Sequence, residues 1–86
     1  MILEHEEKWL DMIDASVETA SDDELFSGGY LRGHISLSAA ECEAEGVTDV
    51  ELFKTKVEQS LEDARSELSP ADRTIVAELW LKLKNA

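Results

Sequence analysis

Tyr30-Leu31-Arg32-Gly33-His34 carries the densest chemistry in the chain. On a helix, Tyr30 lies one turn before His34 and Ser38 one turn after it, with Glu41 further along the same edge. An imidazole near a carboxylate can act as a general base or as a pH-sensitive contact. Arg32 adds a planar cation suited to an anionic group. Around an ideal helix, however, Arg32 and His34 stand roughly 160° apart, so one shared site requires a bend or a neighbouring element. Each residue also has a structural role open to it. His34 suits a hydrogen-bonded position at a helix–helix boundary, and Arg32 can pair with a nearby acid such as Asp22, Asp23 or Glu24. No nucleophile accompanies them in the sequence, and the structural roles are the ones expected. Tyr30, Arg32, His34 and Glu41 form a ligand-binding or catalytic site only if they converge on one concave pocket.

Other chemistries have less support. Neither His5 nor His34 has a glutamate three residues before it, as helical carboxylate-bridged metal sites require. One cysteine and two distant histidines make no zinc pattern. Gly28, Gly29 and Gly33 are not a phosphate loop, because no strand precedes them and no lysine–hydroxyl pair follows. No cofactor is expected. Cys42 falls on an apolar helical face and reads as a buried structural thiol.

Charge is the strongest compositional signal. Eight bases face twenty acids, giving a net charge of −12 over 86 residues. Before Gly46 only Lys8 and Arg32 offset twelve acids. Direct contact with nucleic acid or an anionic membrane would bring like charges together, so neither is an expected partner. A basic protein is compatible. Glu4, Glu7, Asp11, Asp14 and Glu18 form a column on one face of the first helix, relieved only by Lys8. Such a column is a solvated face or an interaction surface. The acidic start MILEHEEKW is unlike a signal or transit peptide, and no apolar run reaches the roughly 18 residues a bilayer span needs. The unpaired cysteine agrees with a reducing compartment, and a cytoplasmic location is expected.

These residues must be positioned by helices. Ile2, Trp9, Ile13, Val17 and Ala20 give an amphipathic helix over residues 2–20. Ser21-Asp22-Asp23-Glu24 is a capping-box start, and Gly46 suits the far end of the second helix. Two glycines at 28–29 cost a helix about 2 kcal/mol relative to alanine, which predicts a kink or break there. Beyond them the second helix has two apolar faces. Leu31, Ile35, Ala39 and Cys42 line one, and the small residues Gly29, Gly33, Ala40 and Ala44 line the other, flanked by Tyr30 and Leu37. Two apolar stripes predict cover from two sides, which places this helix at the centre of the core. Thr48-Asp49-Val50-Glu51 starts a third helix over 49–66, with Val50, Phe53, Val57, Leu61, Ala64 and Leu68 in its stripe. Ser69-Pro70 opens a fourth, whose broad apolar face is Ile75, Val76, Leu79, Trp80 and Leu83. The pattern specifies a single all-α domain over residues 1–86, a compact bundle of about four helices.

Ala20-Ser21-Asp22-Asp23-Glu24-Leu25-Phe26, followed by Gly29-Tyr30-Leu31-Arg32-Gly33-His34, resembles the hallmark segment of the YfcL family of small bacterial proteins. The Leu68-Ser69-Pro70 start and Trp80 in the last helix fit the same family. The resemblance implies a bacterial cytosolic helical protein, and it carries over no activity, cofactor or catalytic residue.

The leading functional expectation is a non-enzymatic acidic interaction module, monomeric or homodimeric. It would present the acidic column of the first helix, or Tyr30, Arg32, His34 and Glu41, to a protein partner. The alternatives are a small ligand-binding protein or enzyme built on those four residues, and a nucleic-acid mimic whose carboxylates imitate phosphates.

Overall fold

The computed structural model describes residues 2–86. Four α-helices follow one another: α1 (Ile2–Ala15), α2 (Asp22–Glu45), α3 (Val50–Asp63) and α4 (Pro70–Lys84). The fold is all-α, and α2 packs against each of the other three helices.

Local chemistry sets the boundaries. Ser21 caps α2 by accepting the Glu24 N–H, and the Glu24 carboxylate accepts the Ser21 N–H in return. Gly46 closes α2 in the left-handed conformation, φ 72°, where a side chain would be strained. Ser69 caps α4 ahead of Pro70. Two boundaries differ from the sequence expectation. The first helix ends at Ala15, because the Ser16 hydroxyl bonds the Ile13 carbonyl and the chain turns through a 3₁₀ segment, Val17–Thr19, before Ser21. Val17 is therefore exposed and not part of the core stripe, and Glu18 leaves the acidic column. The third helix is capped by Asp49, not Thr48, and it stops at Asp63 before a second 3₁₀ turn, Arg65–Glu67.

The core collects Ile2, Trp9 and Ile13 from α1 and Leu31, Ile35, Ala39 and Cys42 from α2. Phe53 and Val57 of α3 and Val76, Trp80 and Leu83 of α4 complete it. Trp9 stands at its middle, stacked on Phe53 at 5.1 Å and edge-on to Trp80 at 5.1 Å. Burial raises the Cys42 thiol above its ordinary pKa, consistent with a structural role.

α2 also runs unbroken through Gly28-Gly29. The buried row Leu31, Ile35, Ala39 and Cys42 supplies packing energy that outweighs the local cost of the glycines. The two glycines are not equivalent. A Cβ on Gly28 would sit 3.0 Å from Ile13 Cγ2, so this glycine lets α1 approach. Gly29 and Gly33 have nothing within 4 Å of a Cβ among the described residues, so no packing there requires them. Gly29→Ala and Gly33→Ala are each expected to raise stability by about 0.5–1 kcal/mol, read as a higher urea midpoint by circular dichroism. Gly28→Ala should lose that gain against Ile13.

No helix among the described residues is long and apolar enough to cross a membrane.

Candidate functional site

The side chains singled out in the sequence divide between two sides of α2. On one side, Tyr30 and His34 meet with tilted rings, centres 4.6 Å apart, and Phe26 extends the row at 6.0 Å from Tyr30. His34 Nδ1 is hydrogen-bonded to Ser60 Oγ of α3. Further along this side, Lys56 of α3 donates to Glu45 at 2.9 Å. α3 therefore runs antiparallel along this edge, with Glu41 on a shallow groove beside Lys56, Gln59 and Ser60. On the other side, Arg32 makes two hydrogen bonds of 3.2 Å, through Nε and Nη2, to the Asp14 carboxylate of α1. Its partner is thus an α1 acid, not one of Asp22–Glu24. The Arg32 hydrogen bond holds the Asp14 carboxyl below its ordinary pKa.

Tyr30, His34 and Glu41 accordingly face α3, while Arg32 is bound to α1 on the far edge. The four do not meet in one pocket. Ser38, expected on the His34 seam, is fully buried.

Ser60 is the residue the sequence did not flag. A serine beside a histidine has the ingredients of nucleophile and base, but only folding brings α3 to α2 here. Ser60 lies inside α3, where the surrounding backbone N–H groups are committed to the helical ladder and cannot serve as an oxyanion hole. The pair is an inter-helix contact. Burial lowers the His34 pKa below its ordinary value, with Glu67 partly opposing, which favours neutral imidazole. As pH falls through the ordinary histidine value of about 6.5, the unfolded chain takes up a proton that the folded chain resists. His34 therefore disfavours folding on the acid side, and the effect levels off once pH passes below its folded pKa. Urea titrations should show wild type losing stability relative to His34→Gln between about pH 7.5 and pH 5.5. A constant difference would contradict this.

Cys, His, Asp and Glu side chains form no group among the described residues that could hold a metal ion. The acids of α1 stand apart from the groups described above, except Asp14. Glu4, Glu7 and Asp11 are exposed along α1, and Glu18 sits on the following turn.

The most distinctive surface lies between the two edges. Gly29, Gly33, Ala40 and Ala44 are exposed, as are Phe26 at 40% and Leu37 at 57%. At helical spacing they form one uncharged strip about 28 Å long on the outer face of α2. The sequence expectation of cover on both apolar faces is therefore met on the Leu31/Ile35 face alone. α1 and α3 flank the strip, through Arg32–Asp14 on one side and His34–Ser60 on the other, and neither closes over it.

Fold and surface together define a small all-α bundle with an open helical face. Residues 3–85 match the family model described as "YfcL protein". The chain is also 47% identical over 85 residues to "Uncharacterized protein YfcL" of Escherichia coli (strain K12), across 96% of this chain and 92% of that relative. The chain belongs to the YfcL family. No solved structure matches it.

Proposed function

We propose that this protein is a non-enzymatic acidic interaction module that docks a basic amphipathic helix of a partner protein on the outer face of α2. One observation carries the reading: α2 keeps two helix-weakening glycines, Gly29 and Gly33, where nothing among the described residues comes within 4 Å of the place a Cβ would occupy. Glycine in an exposed helix interior is a stability cost, and a second backbone coming close is a physical reason to bear it. The same strip carries Phe26 and Leu37 as apolar anchors.

Charge selects the occupant. Asp22 and Asp23 stand at one end of the strip and Glu41 and Glu43 at the other, all exposed. Arg32, the base nearest to it on α2, is tied to Asp14. Glu4, Glu7 and Asp11 on α1 add to the same field. Lysines and arginines flanking an apolar partner stripe would meet acids on both sides, speeding encounter and favouring one partner class. A second copy would instead bring another net charge of −12 against the first.

Calorimetric titration tests this with a synthetic Leu/Ala/Lys amphipathic helix of about 20 residues, ~30 Å long, and its Glu-for-Lys counterpart. The lysine peptide should bind, more weakly as salt rises, and the glutamate peptide should not. Equal binding of both, or binding of the lysine peptide unaffected by Leu37→Glu, would overturn the reading.

A further inference from the structure

A cleft of about 290 Å³ opens between α3 and the first turns of α4, with Tyr30 of α2 at its back. Its volume lies just under the roughly 300–1,000 Å³ range of ligand pockets. Leu61, Leu68 and Val76 give it apolar walls. Tyr30 and Arg73 both line it, and the Tyr30 hydroxyl and Arg73 Nε, each closed off from water, have no hydrogen-bond partner among the described residues. Buried donors are ordinarily satisfied, and leaving one unpaired costs about 1–3 kcal/mol. Two such donors on residues that line one cleft are a joint feature of it.

The other polar groups of the cleft are engaged. Trp80 Nε1–H and Lys84 Nζ both donate to Glu58, at 3.0 and 2.6 Å, and these bonds hold its carboxyl below the ordinary pKa. Arg65 donates to Glu62 at 3.0 Å. Arg73 makes no ion pair among the described residues, so it is the cation with capacity left. Burial raises the Tyr30 pKa, with Glu67 adding to it, so the phenol stays protonated as a donor.

We propose that this cleft binds an amphipathic monocarboxylate, with its carboxylate on the Arg73 guanidinium and the Tyr30 hydroxyl and its hydrocarbon body along Leu61, Leu68 and Val76. The guanidinium fork matches a carboxylate bidentately. A dianion such as a phosphate monoester is disfavoured by the Glu58 and Glu62 carboxylates in the same lining. The site is separate from the α2 docking strip and does not rest on that reading.

The test is an NMR titration of the full chain with sodium hexanoate, with hexanamide as the uncharged isostere and inorganic phosphate as the tail-less anion. Hexanoate should shift the Arg73 Nε–H signal and the Leu61, Leu68 and Val76 amides saturably, with hexanamide at least about tenfold weaker. Octanoate should bind more tightly than hexanoate, each added methylene contributing up to about fourfold. Arg73→Gln should weaken hexanoate by about tenfold or more, and Tyr30→Phe by a smaller factor. Equal affinity for acid and amide, phosphate binding as tight as hexanoate, shifts confined to another surface, or no saturable binding would each overturn the proposal. The acid–amide comparison uses the wild-type chain and decides the matter even if Arg73→Gln fails to fold.

Discussion

Trp9→Ala is expected to abolish cooperative folding near room temperature or leave it marginal. Trp9 is 1% exposed and joins three helices at once: it belongs to α1, stacks on Phe53 of α3 and meets Trp80 of α4 edge-on. Truncating a buried tryptophan to alanine costs about 3–5 kcal/mol through lost burial and the cavity left behind. The aromatic geometry adds about 0.5–1.5 kcal/mol for each well-placed pair. A chain of 86 residues has about 4–13 kcal/mol in total at typical per-residue stability. So small a domain relies on one core, the single buried cluster among the described residues. Urea unfolding followed by far-ultraviolet circular dichroism should therefore show a midpoint shifted far toward zero denaturant, or no folded baseline. A loss below about 1 kcal/mol would mean that Trp9 is not the junction described here.

Gly33→Leu is expected to do the opposite to stability while removing docking. Position 33 has open space where a Cβ would sit, and leucine is the better helix former by nearly 1 kcal/mol, so the fold should be as stable as wild type or more so. A leucine at the middle of the strip would hold an incoming helix away from the backbone and separate it from Phe26 and Leu37 together. Central interface positions carry about 2–4 kcal/mol, so affinity for the lysine-bearing helix should fall by about a hundredfold. Gly33→Ala is the smaller control, expected to lose less. If Gly33→Leu binds as wild type does, the glycines are not there for a partner.

Much of the fold could be read directly, and the reason is local. Ser21 with Glu24, Gly46, and Ser69 with Pro70 place helix ends through interactions confined to a few neighbouring residues. The row Leu31, Ile35, Ala39 and Cys42 declares its burial by period alone. The misplaced ends are those set by competition. The Ser16 hydroxyl takes the Ile13 carbonyl and stops α1 short of the apolar Val17, which the periodicity had included. At Gly28-Gly29, propensity argued for a kink or a break, and tertiary packing keeps α2 one continuous helix, which excludes the break. The candidate site was less legible for a related reason. Spacing along one helix showed that Arg32 and His34 diverge, but not that Asp14 would take the first and Ser60 the second. Those partners lie 18 and 26 residues away in sequence, and nothing local encodes them. Nor could composition say which apolar face of α2 the rest of the chain would leave open.

The most direct test of the docking surface is site-specific photocrosslinking in native cells. A photoreactive benzoylphenylalanine replaces Leu37, exposed on the α2 strip, or Glu78, exposed on α4. Position 37 should form an adduct whose crosslinked peptide carries lysine or arginine flanking apolar residues at helical spacing, and position 78 should not. An adduct of this chain with itself, an acidic crosslinked peptide, or equal yields from both positions would contradict the docking of a basic helix on α2.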